Sequence, residues 1–279
     1  MKRRIVFLDV DGTLTGQGCN EPPESAVRAI SQARKNGHLV FLCTGRNFGM
    51  LRSLLPLGFD GAAASSGGYI VCGDEVLYDC PLTKEQQQKA MEALEKNGIF
   101  RTVECKDASY IDESFREYLL AHPEEGRNRE MLLRREQLEK SLHILPMSQY
   151  RGQPVYKIVA LSPSVEQLEE PRRVLAPEFA FCIQNRDDCG FVNGEFVNRE
   201  FHKGEAVRRI CGHYGIPLSD SAAIGDSMND LEMLKTAGIG LCMENGSPGL
   251  KKAADGICPS VEEDGIWSAF CRLHLIEKI

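Results

Sequence analysis

A doubly wound parallel α/β core, built from both ends of the chain and interrupted by an inserted α+β module, is the fold class this sequence predicts. Three observations carry that expectation. Apolar strand-like runs alternate with amphipathic helical stretches over residues 1–82 and again over 198–279. The intervening residues 83–197 change style, mixing helices and strands without that alternation. Polar residues of one kind of chemistry fall directly after the apolar runs, where open α/β sheets bind their ligands.

The elements follow in order. Residues 4–8 ("RIVFL") read as a strand. Residues 22–37 read as a helix that starts with Pro22 and Pro23 and stops at Gly37, and "HLVFLC" follows as a second strand, completing a βαβ unit. A helix is expected around Met50 to Leu55, then a small-residue stretch at 61–68, then a hairpin turning at Gly73 and Asp74. Past Pro81, Thr83 and Gln86 make a capping-box pattern for a helix over 83–98 that buries Ala90, Met91, Ala93 and Leu94. Within the inserted module, residues 100–105, 154–161 and 179–183 read as strands, and Asn193-Gly194 suits the type I′ turn of a further hairpin. From His202 the alternation returns: a helix, the strand 221–225, a helix from Asp230, the strand 239–243, another helix, and residues 255–260 before a last helix. No internal repeat or low-complexity tract interrupts the series.

Composition narrows the class. Hydrophobic residues make up 42% and charged residues 26% of the 279, the values of a soluble globular protein. A net charge of −7 with a pI near 5.5 offers no basic footprint, so neither nucleic acid nor an acidic membrane surface is an expected partner. Lys2, Arg3 and Arg4 precede an apolar run, yet Asp9 interrupts it too soon for a signal peptide, and no later run approaches the roughly 18 apolar residues of a membrane span. A cytoplasmic protein is expected. The eleven cysteines are scattered and often lie inside apolar runs, which reads as reduced, buried thiols. Without C-x-x-C or H-E-x-x-H there is little case for zinc.

Chemistry concentrates at four strand or helix ends. Asp9 and Asp11 follow the first strand, Thr44-Gly45-Arg46 the second, Lys203 opens a helix, and Gly225-Asp226 with Asn229-Asp230 follow "SAAI". The first of these is no EF-hand loop, because Leu14 and Asn20 occupy the sixth and twelfth positions where glycine and glutamate are needed. Taken singly, Thr44 reads as a strand-end residue, Lys203 as a solvated cation and Asn229 as a cap. Taken together, Asp9, Asp11 and Asp226 are expected to converge, and like charges about 4 Å apart cost on the order of 4 kcal/mol per pair at an effective dielectric near 20. A divalent cation resolves the conflict, and oxygen donors ready to share coordination with a phosphate favour Mg²⁺. Lys203, a helix start, the Thr44 hydroxyl and the close approach allowed by Gly45 supply groups for a phosphoryl anion. Two acids on one turn can then divide nucleophilic attack (Asp9) and proton transfer (Asp11).

These residues closely resemble the motifs of the haloacid dehalogenase superfamily, in particular its Cof-type phosphatases, which carry a large α/β cap inserted after the second motif. The first motif corresponds to Asp9-Val10-Asp11-Gly12-Thr13, the second to Thr44-Gly45-Arg46, the third to Lys203-Gly204 and the fourth to Gly225 through Asp230; the similarity runs on through Met243 to Gly246, Ala254-Asp255 and Glu263-Asp264-Gly265. In the cap it is weak and mainly positional. The resemblance implies a Mg²⁺ enzyme with Asp9 as nucleophile and Asp11 as acid/base, the main-chain carbonyl of Asp11 also meeting the metal. It implies Asp226 as a direct metal ligand, Asp230 as a supporting acid of the metal site, and Thr44, Gly45, Arg46, Lys203 and Asn229 as the phosphate-binding set. Ser66-Gly67 stands where the family usually has Asn-Gly, and Met243-Glu244-Asn245-Gly246 where it has Met-Gly-Asn-Ala, so Glu244 is expected to bring an extra acid towards the phosphate. The cap is expected to close over the core and contribute specificity. Its arginines, Arg186 among them, are candidate substrate contacts read more simply as surface charges, and the mixed-charge run 124–140 reads as an exposed helical face.

The expected activity is hydrolysis of small phosphorylated metabolites, sugar phosphates among them, through an aspartyl-phosphate. Two alternatives stand beside it: a phosphotransferase or phosphosugar mutase, which returns the phosphoryl group to substrate, and a non-catalytic phospholigand-binding protein. The intact acid pair argues against the last, since binding alone does not require Asp11. Nothing in the sequence fixes the oligomeric state.

Overall fold

The computed structural model describes residues 2–16, 19–115, 144–186 and 191–277. The charged run 124–140 and the side chain of Arg186 lie outside what it describes. The chain divides into two compact units, residues 1–79 with 201–279, and residues 80–200, so each junction falls a few residues outside the boundaries expected from sequence.

The first unit is built on an eight-stranded sheet. Its strands are β1 (Ile5–Leu8), β2 (Leu39–Cys43), β3 (Gly61–Ala64), β4 (Tyr69–Cys72) and β5 (Glu75–Asp79) from the first half of the chain. From the last part come β12 (Ser221–Gly225), β13 (Ile239–Met243) and β14 (Gly256–Cys258). The order is β14-β13-β12-β1-β2-β3-β4-β5, parallel from β14 to β3, with β4 and β5 adding an antiparallel edge. β1 is fully enclosed, which is why it reads as an unbroken apolar run; a strand covered on both faces has no solvent side to alternate with. Burying Ile5, Phe7 and Leu8 contributes roughly 1.5–3 kcal/mol each. The helix Lys203–His213 sets Ala206, Val207, Ile210 and Cys211 into the same core as Phe7 and Phe41. Pairing of β1 with both β2 and β12 brings the two halves of the chain together, so residues that follow β1, β2 and β12 share one end of the sheet.

The second unit carries a six-stranded sheet in the order β10-β11-β9-β6-β7-β8. It comprises β6 (Phe100–Cys105), β7 (Ser109–Ile111), β8 (Ile144–Pro146), β9 (Val155–Ser162), β10 (Phe179–Arg186) and β11 (Val192–Asn198). The helix Lys84–Lys96 starts with the expected capping box between Thr83 and Gln86 and buries Ala90 and Leu94 beside Val103, Ile158 and Phe196; Met91 and Ala93 are only half-buried.

Two local expectations change, and one stretch left open by the sequence takes a definite form. Asn193-Gly194 is no turn: burial alternates without a break from Val192 to Asn198, so the chain runs straight through the dipeptide as β11, antiparallel to β10 and β9. Glycine is there because the Phe181 ring lies where a Cβ would stand, 2.5 Å from the ring edge. The helix around Met50 to Leu55 is two 3₁₀ turns, Phe48–Leu51 and Leu55–Leu57, because Pro56 lacks an N–H and disfavours helical backbone before it. The small-residue stretch at 61–68 is β3 followed by a tight turn, its side chains kept small by the close approach of the Val71 carbonyl and Phe41 to Gly61.

Candidate active site

The site lies within the first unit, where three chain segments end together. The N–H of Asp9 donates to the Ile224 carbonyl (3.0 Å), stitching the end of β1 to the end of β12. The chain then turns back on itself, the Val10 carbonyl accepting from the N–H groups of Leu14 (3.0 Å) and Thr15 (2.9 Å). Gly12 sits at φ +77° in this turn, and a Cβ there would lie 2.5 Å from a carboxylate oxygen of Asp226. The glycine of the first motif is therefore a spacing requirement as well as a conformational one.

Beside the turn lies a buried charge cluster. Lys203 Nζ meets Asp9 Oδ1 at 2.7 Å and Asp230 Oδ1 at 2.6 Å, with Asn229 Oδ1 at 3.3 Å. Asp9 is 4% exposed, Lys203 1% and Asp230 not at all. Asp230 Oδ2 accepts from the backbone N–H groups of Asp226 (3.0 Å) and Ser227 (3.1 Å), so both of its oxygens are engaged, and Gly225 leaves room for it to fold back over the strand end. Thr13 Oγ1 donates to Asp226 Oδ1 (3.2 Å). Asp9, Asp226 and Asp230 each offer one carboxylate oxygen within 4.8 Å of the others.

Three carboxylates facing one ammonium leave two negative charges uncompensated in a dry place. The acids respond accordingly. Burial and then the neighbouring Asp230 push Asp9 up to about 8, with Lys203 acting against them. Burial and Asp230 likewise push Asp226 up to about 7. For Lys203 burial works to depress the ammonium, but Asp230 and Asp9 outweigh it and hold it above the ordinary lysine range. Oxygen donors with two unbalanced charges suit a hard divalent cation, which can take the place of the protons these acids otherwise retain.

The second motif joins the cluster through β2. The Thr44 N–H donates to the Ala63 carbonyl (2.9 Å), and the Thr44 hydroxyl oxygen accepts from the Arg46 N–H (3.1 Å). Its own proton has no acceptor among the described residues, which leaves it available to an anion. Gly45 is half-buried beside it. The carbonyls of Thr44 and Arg46 accept from Ser66 (2.9 Å) and Ser65 (2.7 Å), both in left-handed backbone at φ +60° and +49°. Ser66 thus occupies a conformation that asparagine adopts more readily than serine.

Arg46 departs from its expected place in a phosphate-binding set. Its Nε and Nη2 grip Asp11 at 2.8 and 2.6 Å, Nη1 donates to Asn20 Oδ1 (2.6 Å), and Nη2 also reaches the Cys19 carbonyl (3.0 Å). Four of its N–H groups are thereby spent on the loop that carries the first motif. The Asp11 carboxylate correspondingly faces Arg46 and stays outside the three-acid cluster, so a metal-ligand role for Asp11 rests on its main-chain carbonyl alone. Glu244 also departs from expectation: it is exposed and paired with Lys251 at 3.1 Å. Sequence reasoning missed Asn245 and Asn20. Asn245 Nδ2 donates to the Gly12 carbonyl (2.7 Å), pinning the first motif from the loop after β13, and its position two residues past a parallel strand was the available signal. For Asn20 there was none.

Replacing Arg46 with lysine keeps the charge but loses the two-point grip on Asp11. The expected result is a kcat lowered by on the order of 10- to 100-fold through misplacement of Asp11, with a smaller change in KM, measured by steady-state phosphate release. A rise in KM at unchanged kcat would restore Arg46 to substrate binding.

Known proteins place the chain in a family. The family model for haloacid dehalogenase-like hydrolases matches residues 6–270. Phosphatase YwpJ of Bacillus subtilis is 26% identical over 298 residues, covering 98% of this chain and all of its own. The phosphoglycolate phosphatase of Methanopyrus kandleri is 26% identical, covering 99% of this chain and 98% of its own. Among solved structures, a haloacid dehalogenase-like hydrolase from B. subtilis superposes with a TM-score of 0.78 at 24% identity, covering 98% of this chain and 100% of its own. No helix among the described residues is long and apolar enough to cross a membrane.

Proposed function

The chain belongs to the haloacid dehalogenase-like hydrolases and is a phosphatase of the Cof type, and from that premise we propose a Mg²⁺-dependent hydrolysis of small phosphorylated metabolites, sugar phosphates among them, through an aspartyl-phosphate on Asp9. The observation that supports it most directly is the buried set Asp9, Asp226, Asp230 and Lys203, an arrangement with too much negative charge to serve packing alone. A relative named for phosphoglycolate fits the choice of a small phosphorylated substrate.

In this reading Asp9, Asp226 and the Asp11 carbonyl would hold the Mg²⁺, which when bound offsets charge on the phosphoryl oxygens. The protein's own residues do the rest. Lys203, the free Thr44 hydroxyl proton and the Asn229 amide, whose oxygen already accepts from Lys203 and Ser227, present donors to the phosphate, and Gly45 lets the backbone come close. Asp9 attacks phosphorus through a carboxylate oxygen as the ester P–O bond breaks. Asp11 gives its proton to the departing alkoxide, then takes one from the water that attacks the acyl phosphate, releasing inorganic phosphate and restoring Asp9. Arg46 keeps Asp11 oriented, and each Asp11 oxygen retains a second lone pair for the proton. Asp230 fixes Lys203 and the Asp226 backbone.

The test is phosphate release by the purified protein from a panel of phosphomonoesters with Mg²⁺ and with EDTA. Release confined to the Mg²⁺ arm is expected, and none from any substrate would end the proposal. A second measurement follows from the acids. A carboxyl that keeps its proton up to about 8 when folded, but titrates near 4 when unfolded, makes the folded state bind more protons over that interval. Stability of the cation-free protein therefore falls as pH rises from about 4 to about 8, and Asp226, held up to about 7, acts in the same direction. Thermal melts in EDTA should show the midpoint dropping between about pH 6 and 8. Mg²⁺ should remove most of that drop. A midpoint in EDTA that is flat across this window would count against the cluster as described.

A further inference from the structure

At the other end of the parallel sheet, where β1 and β2 begin, the first unit has a recess of about 420 Å³ lined by, among others, Arg3, Ser31, Arg34, Lys35, His38 and Asp60. Its polar lining is one-sided. Asp60 is the only carboxylate, and it is already saturated: Arg34 Nε reaches both of its oxygens at 3.2 Å, Arg34 Nη2 reaches Oδ1 at 3.0 Å, and the Val40 N–H donates to Oδ2 at 2.8 Å. That grip fixes the Arg34 guanidinium while leaving Nη1 uncommitted. Arg3, Lys35 and the Ser31 hydroxyl have no hydrogen-bond or ion-pair partner among the described residues.

His38 adds a second, independent sign. It is 3% exposed, and its Nδ1 accepts from the Arg4 N–H at 3.1 Å, which places its own proton on Nε2. That enclosed Nε2 finds no partner. Buried donors are rarely left unpaired, because the cost is comparable to a lost hydrogen bond. The basic residues at this corner are not needed to quiet the end of the helix Glu24–Lys35. Its last carbonyls already accept from the N–H groups of Asn36, Gly37 and His38. What remains is a surface with surplus positive charge and more unpaired donors than acceptors, and the complementary ligand is an anion rich in acceptors.

We propose that this recess binds a phosphate-type oxyanion, free or carried on a small molecule, through Arg3, Lys35 and the uncommitted edge of Arg34. The site is separate from Asp9, which follows the opposite end of β1, and it does not depend on the phosphatase reading. Guanidinium and ammonium groups around an oxyanion give charge-assisted hydrogen bonds, the strong kind. The volume exceeds what a bare phosphate fills, so an organic group on the phosphorus fits beside Leu39 and Leu57.

The experiment follows the His38 imidazole by ¹H–¹⁵N NMR in the full chain, in EDTA so that the acidic cluster holds no divalent cation. The signal is assigned by its loss in His38→Gln. Inorganic phosphate and phenylphosphonate are titrated separately, each against chloride at matched ionic strength. A saturable shift with either anion is expected, weakened about tenfold or more in an Arg3→Gln/Lys35→Gln variant, whose two substitutions lie at exposed positions and leave the core intact. Tighter binding of phenylphosphonate would identify a phosphorylated small molecule as the occupant, and equal or weaker binding free phosphate. A shift no larger than that caused by chloride, or one that persists in the double variant, overturns the proposal. Because the readout needs no turnover, an inactive protein would leave this result standing.

Discussion

Asp9→Asn should lower phosphate release by on the order of 10⁴-fold or more, the scale of loss when a covalent nucleophile is removed. The amide is nearly the same shape as the carboxylate but does not attack phosphorus, so no phosphoprotein should be trapped when turnover is quenched in acid. The same substitution removes one of three crowded carboxylates, the one that burial and Asp230 push up to about 8. The variant should therefore fold at least as stably as the parent in EDTA near pH 8. Activity and stability moving in opposite directions is the signature that separates a lost nucleophile from a damaged fold. Turnover retained in the variant would rule out covalent catalysis at Asp9.

Lys203→Met should cost about 3–5 kcal/mol of stability in EDTA at neutral pH, the range for removing one partner of a buried ion pair. Methionine keeps most of the aliphatic stem, so the packing of the helix Lys203–His213 survives and the loss reports charge. Without the ammonium, Asp9 and Asp230 lose their shared counter-ion at 2.7 and 2.6 Å. Urea unfolding at about pH 7 measures the change; at about pH 5, well below the values to which burial and Asp230 push Asp9 and Asp226, the deficit should shrink. Mg²⁺ should recover part of it, because a cation among the three acids replaces some of the missing charge. A variant as stable as the parent in EDTA would show that the lysine does not neutralise the cluster.

How much of this was legible in the sequence differs from element to element. β1, β2, β12 and β13 were visible because a strand buried on both faces must be apolar throughout, and a polar residue directly after such a run marks the sheet end where ligands gather. Asp9, Thr44 and Asp226 stood out by that rule before any contact was known, and Lys203 stood out as the cation that opens a helix. Local turn chemistry misled where tertiary contact overrode it. Asn193-Gly194 has the composition of a hairpin tip, yet the Phe181 ring needs the space a side chain would take, and the alternating burial of its neighbours keeps the chain extended. Pro56 was the overlooked signal in the segment expected to be helical.

The partner of Arg46 was beyond sequence reasoning altogether. A guanidinium after a strand can serve a phosphate or a carboxylate equally well, and only the return of the loop through Cys19 and Asn20 decides that it clamps Asp11. The sequence by itself determined the fold class, the insertion and the kinds of chemical group at the sheet end, because those follow from short-range apolar patterning and from the repulsion of like charges. Tertiary structure alone decided which group answers which. Hydrogen bonds such as Asn245 to Gly12 and ion pairs such as Lys203 to Asp230 join residues far apart in the chain, and their partners are fixed by strand order and backbone spacing, which no local pattern encodes.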